Sequence, residues 1–262
     1  MIFLVCCGVT FVACVLGTIC GMGGGVIIKP LLDATGTMTV ATVTFLSGCT
    51  VIAMSFWNVG KTVLKRDSVL DMKRTPFLAL GAVLGGLLGK EIFHVLSSAL
   101  QNKEMIGSVQ SALLFAATFF TLLYTIKKDH LSSKEISSPA VCVSIGLCLG
   151  VLGAFLGIGG GPFNVAALCY FFSMPVKKAT QNSLLIVLLS QTASIFRTLT
   201  ASGVPPFDSR ILFGMLLTAI AASEAGRYIN KRIDETQATR WLEYVMALIM
   251  LICLYNIYQF AH

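Results

Sequence analysis

Between Ile136 and Val176 the chain runs for 41 residues without a charged side chain, and near the middle of that run stands "GIGGGP", Gly157 to Pro162. The run is too long for one spanning helix, which needs about 20 mostly apolar residues. It also lacks a polar turn that would divide it into two. The consistent solution is a full span, then a glycine break, then a half-helix. The N-terminal run reads the same way, with "GMGGGVIIKPLL" (Gly21 to Leu32) following a first apolar span. Backbone freed by such breaks cannot face lipid; it must be buried in protein or line a watery cavity.

The solvent itself follows from composition: 56% apolar residues, 12% charged residues and a mean hydropathy of +0.84 mark an integral membrane protein. The predicted fold is an all-α polytopic membrane protein of about eight transmembrane helices in two homologous halves, each with a glycine-broken re-entrant half-helix. The spans are predicted near residues 2–19, 40–60, 75–96, 105–126, 139–156, 179–198, 209–229 and 240–260, with broken segments at 21–33 and 157–173. Lys90 and Glu224 lie close enough to helix ends to snorkel. A hydrophilic linker, 127–138, separates a first repeat (1–126) from a second (139–262).

The halves resemble each other in sequence. At an offset of 136, residues 17–40 and 153–176 match at eight of 24 positions: five glycines, then Leu32 with Leu168, Met38 with Met174 and Val40 with Val176. After a two-residue shift Ala41-Thr42 meets Ala179-Thr180, which puts Asn182 opposite Thr44. Farther on, "GGLLGK" (Gly85 to Lys90) falls opposite "ASEAGR" (Ala222 to Arg227). An even number of spans predicts parallel halves; a broken segment that crosses completely would invert them. Secondary transporters are commonly built from two such repeats, with discontinuous helices meeting near the bilayer midplane.

Successive glycines let backbone N–H groups converge on a concave anion site, and a helix starting just afterwards adds its positive dipole end. The candidate binding residues are therefore Gly21, Gly23, Gly24 and Gly25 in one segment, and Gly157, Gly159, Gly160, Gly161 and Asn164 in the other. A branched side chain at Gly24 or Gly160 is expected to fill the cavity and forbid the positive φ of a nest. Thr42, Thr44, Asn182 and Ser183, with Asn58 and Gln191, could add hydroxyl and amide donors from the following spans. Their alternative role is to bond their own helix backbone. Lys29 either reaches the anion path or snorkels to a headgroup. Gly81, Gly85 and Gly89, spaced by four, read instead as close helix packing.

"GTICGMGGGVIIKPLL" and "GAFLGIGGGPFNVAAL" resemble the paired glycine signatures of the sulfite exporter TauE/SafE family of bacterial membrane permeases. The resemblance implies a secondary transporter in the cell (inner) membrane. The implied cargo is a small sulfur oxyanion or organosulfonate such as sulfite, thiosulfate, sulfoacetate or sulfolactate. Two positions depart from the family pattern: Lys29 replaces an apolar residue, and Pro162 beside the glycines replaces a proline expected near Ala166.

Other chemistry is sparse. Glu224 and Arg227, three apart, are candidates for proton coupling or for an exposed ion pair. Glu91 and His94 share that spacing but lack a third ligand, so no metal and no cofactor are expected. The nine cysteines show no CxxC pair and read as packing residues; Cys20 and Cys49 flank the first break. No paired Asp, HExxH or Ser-His set supports an intramembrane enzyme. A passive anion channel would share the glycine breaks. The net charge of +7 sits in loops at 61–74, 127–134 and 227–240, the usual flanks of spans and not a nucleic-acid face. Trp57 and Trp241 fit an interfacial belt. With 61–74 and 127–138 in the cytoplasm, this span count leaves 227–240 outside and both termini cytoplasmic.

Overall fold

The computed structural model describes residues 2–64, 70–71, 73–99, 103–128 and 135–261. Parts of the basic clusters at 61–74 and 127–134, and of the linker at 127–138, lie outside the described residues. Among those described, the secondary structure is helical throughout: α1 (Ile2–Cys20), α2 (Gly25–Asp33), α3 (Val40–Leu64), α4 (Thr75–Ala99), α5 (Lys103–Lys127), α6 (Pro139–Phe155), α7 (Pro162–Phe172), α8 (Val176–Arg197), α9 (Ser209–Arg232) and α10 (Glu235–Ala261). A π-helical turn, Thr198–Ser202, follows α8.

The chain is a polytopic all-α membrane protein. Helices α1, α3, α4, α5, α8 and α10 are long and apolar enough to cross a membrane. Helix α6 has 17 residues, and α9 carries Glu224 and Arg227; these two are shielded by their partners instead, α6 against α4 and α9 against α1. Large apolar side chains such as Phe56, Leu80, Phe120, Phe196, Phe213 and Leu251 point outward, as lipid-facing surfaces require.

Each glycine segment is a break leading into a short helix. Residues 21–24 and 157–161 are non-helical, and every residue from 17 to 30 and from 153 to 165 is buried. The two breaks turn alike: φ is 70° at Gly21 and 69° at Gly157, then 63° at Gly23 and 79° at Gly159. The preceding helices close on them by matching bonds, Met22 N–H to Gly17 O and Ile158 N–H to Gly153 O, both 3.1 Å. Pro162 stands in the first turn of α7, where a missing N–H costs nothing. Helix α7 runs unbroken through Ala166, whereas α2 carries Pro30 at the equivalent place. Ser173, left-handed at φ 52°, and Pro175 then stop α7.

Packing between helices repeats under exchange of the halves. The α4–α6 and α1–α9 crossings are the most extensive, and α4–α8 matches α3–α9 just as α10–α2 matches α5–α7. The α4–α6 crossing is lined by glycines in steps of four. A Cβ at Gly81 would lie 2.8 Å from Leu147 N, at Gly89 2.9 Å from Val151 Cα, and at Gly150 2.8 Å from Ala82 Cα. The Gly81–Gly85–Gly89 stripe is thus a packing surface.

The direction of each half corrects the parallel reading. Ile2, Phe3, Met38, Asp208 and Arg210 border one cavity, and Gly36 lies beside Gln259; this is the terminal face. On the opposite, loop face, Arg74 bonds Phe172 O and Ser137 Oγ, Lys128 bonds Thr239 Oγ1, and Lys177 bonds Glu235 through its backbone N–H and Ile233 O through its amine. Helix α1 therefore leaves the terminal face, and residues 21–33 bring the chain back to it before α3 departs. Residues 157–173 do the same from the loop face. Each broken segment completes a return crossing, so the halves run antiparallel. The same parity places 227–240 on the loop face with 61–64, 73–74 and 127–128, and Ile2 and Ala261 toward the other.

Candidate functional site: two half-helices meeting at mid-bundle

Helix α2 starts in the bundle centre and runs to the terminal face; α7 starts in the centre and runs to the loop face. The start of α2 lies against the break that leads into α7. A Cβ on Gly25 would lie 2.6 Å from Ile158 O, 2.8 Å from Val51 Cγ2 and 3.0 Å from Ser47 Oγ, and one on Gly23 would lie 3.3 Å from both Val51 and Val187. Val51 and Val187 are near the midpoints of α3 and α8.

Both half-helices begin with a glycine at the N-cap, Gly24 and Gly161, so neither has a side-chain cap. Among the described residues no protein acceptor takes the N–H of Gly24, Gly25 or Val26, nor of Gly160, Gly161 or Phe163. Orphan donors at a helix start carry the positive end of its dipole. Two such ends point at one another across the centre.

The backbone of the two segments differs in one respect. Gly23 is left-handed and Gly24 right-handed (φ −58°, ψ −19°), an alternation that turns successive N–H groups to one side. Gly160 has a positive φ of 156°, and Gly161, at φ −132° and ψ −172°, is extended. The nest geometry therefore belongs to the first segment. Positive φ also does not explain Gly24: there a Cβ would meet Cys14 Sγ at 2.9 Å. Gly160 is closed by Asn164 Nδ2, 2.6 Å from its Cβ position.

Helices α3 and α8 present matching stripes to these breaks. On α3, Thr44 packs on Gly157, Ser47 on Gly25 and Val51 on Gly23; on α8, Thr180 packs on Gly21 and Val187 on Gly23 and Gly160. Ser183 stands between Thr180 and Val187 at the spacing of Ser47 between Thr44 and Val51. Thr44 Oγ1, Ser47 Oγ, Ser183 Oγ and Asn164 Oδ1 are all buried without a hydrogen-bond partner. Buried hydroxyls and amides are ordinarily satisfied; these four are among eleven buried polar atoms without a partner in the described residues, and the three hydroxyls can donate to a polar ligand at the break. Gln191 adds an amide whose Nε2 would lie 2.8 Å from a Cβ at Gly159.

The sequence missed Ser47, and the signal for it was present. The unshifted offset of 136 pairs Thr44 with Thr180, Ser47 with Ser183 and Val51 with Val187. The two-residue shift, which paired Thr44 with Asn182, hid this pattern.

Several expected site residues are occupied elsewhere. Asn182 Oδ1 accepts from Asp71 N–H at 2.9 Å and Thr75 Oγ1 at 2.7 Å, and its Nδ2 donates to Lys178 O. It ties the start of α4 to α8 on the loop-face side. Thr42 donates to Pro206 O at 3.0 Å at the terminal face. Lys29 neither snorkels nor stands free: its amine is 2.8 Å from Asp33 Oδ2, both side chains being at most 4% exposed. An acid four residues after a lysine on one helix was the visible clue. Asn58 donates to Thr18 Oγ1 and Met54 O.

The remaining charges are likewise placed. Lys90 does not snorkel, because α4 continues to Ala99; its amine is buried, 4.9 Å over the Phe93 ring. Arg227 donates to Asn58 O and Thr62 Oγ1, and Glu224 accepts from Trp57 Nε1, so both turn onto α3. Glu91 pairs with Arg197 at 2.6 Å. All nine cysteines are free.

Comparison with known proteins agrees with this architecture. No solved structure matches the chain. Among curated proteins it is 21% identical over 268 residues to "Probable membrane transporter protein YunE" of Bacillus subtilis (strain 168), covering 96% of each chain. It is 24% identical over 261 residues to "Probable membrane transporter protein YjnA" of the same organism, covering 92% of this chain and 94% of the relative. The profile of the family described as "Sulfite exporter TauE/SafE" matches residues 6–254, and with two relatives aligned nearly end to end the chain belongs to that family of membrane transporters.

Proposed function

We propose that this chain is a secondary transporter of one small anion, a sulfur oxyanion or organosulfonate such as sulfite, thiosulfate or sulfoacetate, held between the starts of α2 and α7 and moved by alternating access. The observation that carries the reading is the pair of uncapped half-helix N-termini beside the unpartnered hydroxyls of Thr44, Ser47 and Ser183. Backbone N–H groups and helix dipoles stabilise negative charge, while hydroxyl and amide groups bond oxyanion oxygens without a fixed counter-charge that would slow release. Lys29 adds no net charge, since Asp33 balances it. The segments are buried from both faces, so transport requires the bundles to part on one side and then on the other. Internal duplication with inverted halves supplies that motion, and the exchange pattern of helix packing supports it.

Orientation in the cell membrane follows from charge. Lys73, Arg74, Lys127, Lys128, Lys177, Lys178, Lys231, Arg232 and Arg240 lie toward the loop face, against Lys103, Arg197 and Arg210 toward the other. The loop face is cytoplasmic and the termini are outside.

The test is accumulation in proteoliposomes, over a panel of sulfur oxyanions, sulfonates and carboxylates, with and without a proton gradient. Concentrative uptake of a sulfur anion driven by an ion gradient is the expected result. Equilibration alone would identify a passive anion channel, and preference for carboxylates would overturn the substrate class.

A further inference from the structure

A cavity of about 200 Å³ opens toward the loop face between α3, α8 and α9, and four of its seven lining residues are cations: Lys177, Lys178, Arg227 and Lys231. Thr62, Gln181 and Asn230 complete the wall, so among the described residues no carboxylate lines it. This is unusual beside a low-dielectric bundle, where like charges repel strongly unless something of opposite sign stands among them.

The cations are held in different ways. Arg227 is 9% exposed and fixed by Asn58 O at 2.8 Å and Thr62 Oγ1 at 3.3 Å, both through one terminal nitrogen. Its other guanidinium N–H groups have no acceptor among the described residues. Lys177 Nζ is anchored to Ile233 O at 2.8 Å. Glu235 receives the backbone N–H of Lys177, not its amine. The amines of Lys178 and Lys231 have no acceptor among the described residues.

The floor of the cavity lies against the end of α1, next to the first glycine segment. Asn230 donates to Thr18 O and Ile19 O, carbonyls at the end of α1 just before Gly21. Gln181 lines the cavity while its neighbour Thr180 packs on Gly21. The mouth on the terminal face is different: its cavity of about 600 Å³ is bordered by Asp33, Met38, Phe93, Ile106 and Pro206, with no basic residue among those described.

We propose that the loop-face cavity is a second anion site, an antechamber that gathers a small soluble oxyanion or sulfonate and delivers it to, or receives it from, the glycine segments. Several basic groups without acidic partners among the described residues raise the local concentration of anions by focusing the field, and Arg227 offers planar donors suited to oxyanion oxygens. The proposal rests on the transporter reading for its purpose but not for its existence, and its test does not require transport. A phosphate headgroup has the same chemistry, so the test separates the two sources.

The experiment places a thiol in the wall, Gln181→Cys, in the full chain purified in neutral detergent. Modification of position 181 by a negatively charged sulfonate thiol reagent and by a positively charged one of similar size is followed by mass. The expected result is a preference for the anionic reagent of roughly tenfold or more, slowed by millimolar sulfate. Adding Lys178→Gln and Lys231→Gln should abolish most of the preference and the protection, whereas Lys178→Arg should keep both. Equal rates for the two reagents, or no protection by sulfate, would overturn the proposal. Protection by phosphatidylglycerol and not by sulfate would also overturn it, making the cavity a lipid headgroup site. A preserved preference in a protein that transports no anion would refute the transporter reading and leave the antechamber standing.

Discussion

The two glycine segments share their backbone turns and differ in their surroundings, which separates what the break needs from what the cargo needs. Gly21 and Gly157 turn alike, as do Gly23 and Gly159, because each break must end one helix and start another within protein. The side chains around them diverge. The first half-helix carries the buried Lys29–Asp33 pair and Pro30, and the second carries Pro162 and the unpartnered Asn164 oxygen. Shared turns with unequal polar groups suit the single small anion proposed for the site.

The sharpest break of that comparison comes from equivalent glycines. Gly25→Val should abolish transport and Gly25→Ala should nearly do so, since the added carbon would fall 2.6 Å from Ile158 O, a backbone atom that cannot move alone. Gly161→Ala, at the same place in the second segment, should keep more transport than Gly25→Ala, for the atoms nearest its carbon belong to the Phe163 side chain, which can turn aside where backbone cannot. Initial uptake rates, scaled to protein in the membrane, decide it; equal loss at both would mean that the segments are functionally symmetric.

Next in size is the ion pair found only in the first segment. Lys29→Met should lower stability by about 3–5 kcal/mol by leaving the Asp33 carboxylate buried and unpaired, while the double change with Asp33→Leu should be close to neutral. Thermal unfolding in detergent gives both values. If the double variant unfolds normally but loses transport, the pair belongs to the coupling machinery.

The hydroxyls shared by both halves should act on affinity and not on folding. Ser47→Ala or Ser183→Ala should each weaken anion binding by about 1.5–3 kcal/mol, the usual scale of a hydrogen bond to a charged group, seen as a raised KM. An unchanged KM in both would remove the serines from the site. Asn182→Ala should show the opposite pattern, a loss of about 1–3 kcal/mol in stability with KM unchanged, because its partners are Asp71 and Thr75. A raised KM at normal stability would return Asn182 to the anion path.

Smallest of all should be Cys20→Ser, a buried thiol at the end of α1. Transport is expected at wild-type rate. A loss confined to thiosulfate would point to sulfur contact along the path.

The spans and both breaks were legible in the residues. Helix starts at Ile2, Val40, Thr75, Pro139 and Ser209 fall within a residue of the predicted edges, and α3, α4, α9 and α10 overrun their spans into polar sequence. These features are local: apolar runs must match the bilayer, and three glycines in succession break a helix whatever surrounds them. The site was half legible. Of the residues now lying at the breaks, the glycines, Thr44, Ser183 and Asn164 were singled out from their positions in the sequence, but Ser47 was lost in the misaligned shift, and Lys29 was read without Asp33.

What the sequence by itself determined is therefore an all-helical chain in lipid, cut at two places, with donors near the cuts. Tertiary structure alone decided the inversion of the halves, the grouping of the basic loops on one face and the capture of Asn182 by the α4 turn. The physical reason is that periodicity and hydropathy report the surroundings of each residue but not the path of the chain. Whether residues 21–24 carry the backbone across or back changes no local preference, yet it reverses the sense of every helix that follows.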